Sequence, residues 1–225
     1  MITEVKNVEF NIIDTSDPFE QFRDDIERFW AAYCSKHPEA YSEKILNLFG
    51  SEETAHGIRL NIGWINYYEA FYSKIAGNIQ TRNLFSGAYI ITSDGYYCLA
   101  VDWNSEINLI GGVASAEDFE NGKYIPEKCL VRECKEEMGI DITDDHFSYE
   151  LKYLKITSGD ENYFPTGLIY EVKTDYTKSE IEELFMTNAH DNELQAIKFL
   201  RPDDSEVLAG SRRKYIFELF DMMRK

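Results

Sequence analysis

The chain has 225 residues, 44% of them apolar and 14% aromatic, which is enough for a filled core and excludes wholesale disorder. At about 150 residues per domain, this length allows one large domain or one with a small companion. No apolar run approaches the ~18 residues of a membrane helix, so no membrane partner is expected. The 41 acidic residues outnumber 23 basic ones, for a formal net charge of −18. That field repels nucleic acid, and it repels small phosphorylated molecules unless a bound cation reverses the sign locally.

The first ten residues, MITEVKNVEF, lack a basic segment followed by an apolar one, so export is not expected. Cys34, Cys98, Cys129 and Cys134 show neither a C-x-x-C pair nor zinc spacing. They read as reduced, core-filling thiols of a cytoplasmic protein.

Residues 4–14 read as an extended, half-buried segment. Asp17 then predicts a helix N-cap, with Pro18 at the first helical position and Glu20 completing a capping box. Phe19, Phe22, Ile26, Phe29, Trp30 and Tyr33 follow at helical spacing and predict a core-facing seam rather than a cofactor site. An irregular stretch comes next. In 58–72, strand-like alternation gives way to an aromatic-rich run.

Residues 87–101 read as two strands around Ser93-Asp94-Gly95, and 107–112 as a short strand ending in two glycines. An acidic loop precedes a helix predicted from Pro126 to Met138 and stopped by Gly139. A strand over 164–173, a helix capped by Ser179 and Glu182, a strand over 194–200 and a closing helix over 212–224 complete the pattern. Strands and helices mix without strict alternation, which predicts an α/β (α+β) fold, a mixed sheet flanked by helices.

Residues 132–140 read Arg-Glu-Cys-Lys-Glu-Glu-Met-Gly-Ile. On a helix, Glu133, Glu136 and Glu137 fall at i, i+3 and i+4, on one face. Leu130, Cys134 and Met138 form the neighbouring apolar stripe. Like charges at this spacing cost a helix a few tenths of a kcal/mol, and more near the C-terminal end of the dipole. Bare, the arrangement is unfavourable; a divalent cation with oxygen ligands turns it into a site.

This segment resembles the second half of the Nudix box, G-x5-E-x7-R-E-U-x-E-E-x-G-U, where U is aliphatic. A chance match to these seven positions is about one in ten million per start position. Leu109-Ile110-Gly111-Gly112 resembles the strand and double glycine that open the box. The spacing departs from the pattern, because Gly112 and Arg132 are 20 positions apart where the box has 14. The register of the box's first Glu falls on Tyr124, and Glu117, Glu120 and Glu127 are candidates to replace it. In the family that Glu braces the loop and the Arg.

The resemblance implies an α/β/α sandwich with a mixed sheet over 83–225, its box at about 111–140, preceded by an α+β extension over 1–82. It implies Mg²⁺ or Mn²⁺ on Glu133, Glu136, Glu137 and the Gly111 carbonyl, with Arg132 orienting a glutamate. It also implies hydrolysis of a nucleoside diphosphate linked to another moiety. Glu133 is the first choice of base. Asp191 and Glu193, in the loop before the last strand, are alternatives.

The stretches 27–43 and 58–78, with Ala189-His190-Asp191, resemble the UDP-glucose pyrophosphatase branch. The implied small-molecule partner is a nucleotide sugar, with His190 as a substrate or base contact. Tyr163, Phe164 and Trp103 are candidates to stack a base. ADP-ribose or a dinucleotide is the alternative substrate, and a non-catalytic nucleotide sensor the alternative class. A homodimer is compatible with the sequence.

Overall fold

The computed structural model describes residues 2–14, 17–77, 79–156, 165–188, 191, 193–201, 203–204 and 214–224. The strands, in chain order, are β1 (Ile2–Glu4), β2 (Val8–Ile12), β3 (Lys44–Thr54), β4 (Gly57–Asn66), β5 (Leu84–Ile91), β6 (Tyr97–Asp102), β7 (Ile107–Asn108), β8 (Ile110–Val113), β9 (Phe119–Glu120), β10 (Lys123–Tyr124), β11 (Phe147–Lys155), β12 (Thr166–Thr174) and β13 (Leu194–Leu200). The helices are α1 (Arg23–Cys34), α2 (Tyr67–Ala76), α3 (Pro126–Met138), α4 (Lys178–Thr187) and α5 (Lys214–Met223).

The main sheet runs β1-β11-β12-β5-β6-β13, with β8 on β5 and β7 on β6. It is mixed: β12 and β5 pair in parallel, while β11 and β12 are antiparallel. Alternation along β5 sends Ala88 and Ile90 to one face, against Leu130, Cys134 and Met138 of α3 and Ile181 of α4. Tyr89 goes to the other, against Ile216, Leu219 and Phe220 of α5. Helices therefore cover both faces, giving the expected sandwich.

β2, β4 and β3 form a second sheet. Its Leu46, Leu48, Leu60 and Ile62 join the core cluster of α3 and β5. Ile45 and Ile65 face outward onto α1 and α2. The two sheets are laced by Leu46 N–H to Ala114 O (3.2 Å) and Leu48 N–H to Arg82 O (2.8 Å). The aromatic seam of α1 packs on α2 as expected, with Phe29 against Tyr72 and Trp30 against Tyr68. Among the described residues, no helix is long and apolar enough to cross a membrane.

Four local readings change. The irregular stretch after residue 43 contains an eleven-residue strand, β3, paired along its length with β4. Its polar second half, Ser51–Thr54, hides the alternation. The capping box of α4 is Thr177–Glu180, two residues earlier than Ser179–Glu182. The Lys178 amide donates to Asp94 Oδ1 (2.9 Å), which fixes the first turn at that register. The acidic loop contains the hairpin β9–β10, turned by Asn121 and Gly122, both at positive φ. The expected capping box at Asp17 and Glu20 does not form: a 3₁₀ turn spans Glu20–Phe22, α1 begins only at Arg23, and Asp17 Oδ1 instead accepts from the Phe19 amide (2.8 Å) in the turn before them.

Because Leu46 is fully buried in the cluster shared by both sheets, Leu46→Ala is expected to cost about 2–5 kcal/mol. Urea unfolding followed by tryptophan fluorescence and by far-UV circular dichroism should shift together, in one transition.

Candidate functional site

Helix α3 starts with Pro126 at its first turn and ends at Gly139. Leu130, Cys134 and Met138, all fully buried, dock it on β5 and β8. That orientation turns Glu133 and Glu137 inward, to 7% and 6% exposure, and leaves Glu136 half-exposed. The sequence brings the three glutamates to one face; the tertiary structure buries two of them against the Gly111-Gly112 strand.

The two glycines make this possible. Gly111 has φ +143°, and a Cβ there would sit 2.1 Å from the Ser86 carbonyl oxygen. At Gly112 a Cβ would lie 2.3 Å from Glu133 Oε2, so the missing side chain is the space that the Glu133 carboxylate fills. The Gly111 amide donates to Glu137 Oε2 at 2.7 Å.

Arg132 Nη1 donates to Glu133 Oε1 (2.7 Å) and Glu136 Oε2 (3.0 Å). Nη2 reaches the Val113 carbonyl at 3.2 Å. The buried partner of Arg132 is Asp118, which sequence reasoning passed over: Nε and Nη2 lie 3.3 Å from its two oxygens. The three replacements considered for the box's first Glu are placed differently. Glu120 pairs with Lys128, Glu127 accepts from the Tyr170 hydroxyl, and Glu117 is exposed. The signal was the spacing from Gly112, six positions before Asp118 as in G-x5-E, with the Asn-Gly turn at 121–122 taking up the additional residues.

Burial pushes the Glu133 carboxyl up to about 7, against the pull of Arg132. Burial pushes Glu137 up to about 9, with the Gly111 amide opposing and the charges of Glu133, Glu193 and Asp191 adding. Glu193 is raised by burial and by Asp191. Burial opposes the Arg132 charge, but the bonds to Asp118 and the attraction of Glu133 outweigh it, and the guanidinium is held protonated.

Before β13, Asp191 meets the end of α3: its amide donates to the Glu136 carbonyl (2.7 Å), and the Glu193 amide donates to Asp191 Oδ1 (3.0 Å). Asp191 and Glu193 thus lie beside the α3 acids, as their candidacy requires. His190, Ala189, Tyr163 and Phe164 lie outside the described residues. Trp103 is 64% exposed in the β6–β7 turn.

A hollow of about 360 Å³ opens over Gly112, Arg132, Glu133 and Glu136, with Glu193 on its rim. Its opposite wall comes from the N-terminal region, through Tyr41, Glu43 and Tyr67. Tyr41 is 77% exposed and Tyr67 42%. Hollows of similar size, about 320 Å³ by Glu53 and Leu154 and about 390 Å³ by Lys6 and His56, lie against β1 and β3, away from α3. Chemistry rather than volume picks out the first.

Among the described residues, no three His, Cys, Asp or Glu side chains converge as a ready-made cation cage. Glu137 faces the Gly111 amide, and Glu133 and Glu136 share Arg132. The donors are nevertheless carboxylate and carbonyl oxygens, the type that suits Mg²⁺ and Mn²⁺.

No family model matches the chain, and no curated protein matches it. Solved structures that resemble it include a NUDIX-family hydrolase of Clostridium perfringens, 15% identical over 63% of this chain and 98% of that one, with a TM-score of 0.40. An Ap4A hydrolase of C. elegans, in a binary complex, is 11% identical over 62% and 95%, with a TM-score of 0.42. The NUDIX domain of Shewanella oneidensis NrtR, complexed with ADP ribose, is 12% identical over 71% and 97%, with a TM-score of 0.45.

The raised Glu133 and Glu137 carboxyls set a sign for metal-free stability. Their folded pKa values, about 7 and about 9, lie above the unfolded 4.5. Their contribution is therefore fully present below about pH 4.5 and is lost as pH rises through about 7 and about 9. In EDTA, the Glu133→Gln/Glu137→Gln variant is expected to melt above the parent at pH 8, by a margin that shrinks towards pH 5. A margin independent of pH in thermal melts would contradict this.

Proposed function

We propose that the chain is a metal-dependent pyrophosphohydrolase of the Nudix type. It cleaves the diphosphate bond of a nucleoside diphosphate linked to another moiety, a nucleotide sugar of the UDP-glucose kind. The observation that carries this reading is the Arg-Glu-x-x-Glu-Glu run on α3, with Glu133 and Glu137 buried against Gly111-Gly112 in a protein of charge −18. Carboxylates crowded and desolvated to this degree are poor structural elements, and a hard cation is the natural counter-charge.

Glu133, Glu136, Glu137 and the Gly111 carbonyl would hold Mg²⁺ or Mn²⁺. Bound there, the cation supplies positive charge against the diphosphate and acidifies the attacking water. Arg132 orients Glu133 and Glu136. Glu133, facing the hollow, is the first choice of the base that takes the proton. Glu193 on the rim and Asp191 behind it are the alternatives, and His190 is carried as a substrate contact from the sequence.

The rings of Tyr41 and Tyr67 border the hollow opposite the acids. Stacking on such rings contributes about 1–3 kcal/mol per base. They give the nucleoside a place beside the diphosphate. A non-catalytic nucleotide sensor is the second reading. It is favoured by one observation, the internal bonding of all three glutamates to Arg132 or Gly111.

Replacing Glu136 or Glu137 with Gln is expected to reduce Mg²⁺-dependent turnover to background with circular dichroism unchanged; undiminished turnover refutes the site. UDP-glucose, ADP-ribose and a dinucleoside polyphosphate, assayed for released monophosphate with Mg²⁺ and with Mn²⁺, separate the substrate classes. Thermal stabilisation by one of them without turnover at either metal favours the sensor. Tyr41→Ala should raise KM about tenfold, in keeping with the loss of one stacked base.

A further inference from the structure

A second hollow, of about 270 Å³, opens on the α5 side of β8. Gly112 and Val113 line both it and the acidic hollow, so the two meet across a strand that carries no side chain at its glycine. Their linings differ. Glu43, Glu133, Glu136 and Glu193 line the first; among the described residues no carboxylate lines the second, and Lys74 does.

The polar groups here are buried and short of partners. Asn83, which lines the hollow, is 1% exposed, and its Oδ1 accepts no hydrogen bond among the described residues. The Thr166 amide donates to the Asn83 carbonyl (2.8 Å), and the Thr166 hydroxyl, fully buried, also lacks a partner. Buried polar groups are ordinarily hydrogen-bonded, so two neighbouring orphans mark a place that a ligand completes. On the β7 side, Asn108 Oδ1 accepts from the Tyr215 hydroxyl, which leaves the Asn108 amide nitrogen as a donor. The rings of Phe85 and Tyr215 form the walls, and a buried cation holds them: Lys155 Nζ lies 5.9 Å and 4.9 Å from their centroids and donates to the Pro165 carbonyl (2.9 Å). Gly167 gives Phe85 its room, since a Cβ there would lie 2.4 Å from Cζ.

A sugar suits this lining. Each hydroxyl both donates and accepts, so one ring can serve an orphan acceptor such as Asn83 Oδ1 and a donor such as Asn108 Nδ2. Its C–H faces suit the rings of Phe85 and Tyr215. A nucleobase has fixed donors and acceptors, and its flat face is met by Tyr41 and Tyr67 in the first hollow. We propose that the second hollow binds the hexose of the nucleotide sugar, on Asn83, Asn108, Phe85 and Tyr215, with the diphosphate passing over Gly112 between the two hollows. This rests on the nucleotide-sugar reading of the function. The nucleoside then lies against the N-terminal region, and the sugar on the α5 side of the sheet.

The full chain, assayed with Mg²⁺ on UDP-glucose and on the β-methyl ester of UDP, tests it. The two compounds share the nucleoside and the diphosphate bond, and the ester lacks the hexose. The reading is the ratio of their kcat/KM values, which in the wild type should favour UDP-glucose. Asn83→Ala is expected to lower that ratio roughly 2–10-fold, the usual effect of losing one hydrogen bond. Asn108→Ala should lower it likewise. Tyr41→Ala should weaken both substrates and leave the ratio where it was, because both carry the nucleoside.

An Asn83 that serves only the fold would lower both activities together, with the melting temperature, and leave the ratio intact. A nucleoside seated in this hollow would do the same. An unchanged ratio in Asn83→Ala therefore overturns the inference, as does a wild type that cleaves the two compounds equally well. Should Asn83→Ala not fold, Asn108→Ala decides by the same reading. A wild type that cleaves neither compound removes the nucleotide-sugar reading and this inference together. One that favours UDP-glucose, with a ratio indifferent to positions 83 and 108, removes this inference alone.

Discussion

Among the described residues, the guanidinium of Arg132 is the positive group paired with Glu133 and Glu136 of α3, and the local structure is arranged around it. Glu133 and Glu136 take one of its nitrogens while Asp118 and the Val113 carbonyl take the others. A helix bearing three carboxylates on one face near its C-terminal end opposes both side-chain repulsion and its own dipole. It forms here because its other stripe, Leu130, Cys134 and Met138, is fully buried against β5 and β8. The energy of that docking is spent in part on desolvating Glu133 and Glu137, whose raised carboxyls record the cost.

The same docking accounts for the two glycines. Gly111 and Gly112 lie on β8, opposite Gly87 and Ser86 of β5. Side chains at these places would strike the backbone of β5 or the Glu133 carboxylate. Strand and helix thus approach closely enough for a backbone amide to meet a buried carboxylate. The pairing of a bare strand with an acidic helix face is one unit, and neither half is explicable alone.

The N-terminal region contributes a wall of the hollow. Its three-stranded sheet shares a core with α3 and β5 and is stitched to the main sheet by backbone hydrogen bonds. Through that contact Tyr41, Glu43 and Tyr67 come to face the acids of α3. The chain therefore closes one side of the hollow with aromatic and polar groups from a segment well over fifty residues away in sequence. Under the proposed function, this is where the nucleoside would be recognised.

Local patterns in the sequence determined α3, its apolar stripe, its stop at Gly139 and the grouping of Glu133, Glu136 and Glu137, because helical periodicity is a property of neighbouring residues. The same holds for the strands around 87–101 and for the aromatic seam of α1. The course of β3 was not legible, since its outer half is polar and its pairing with β4 supplies what alternation does not. The partner of Arg132 was legible from one side only: counted back from Arg132 the box's register falls on Tyr124, whereas counted forward from Gly112 it falls on Asp118, and the Asn-Gly hairpin takes up the additional residues between. Which glutamates are buried, and which tyrosines meet them, was decided by packing between segments distant in the chain, where the energy of burial depends on what arrives on the other side.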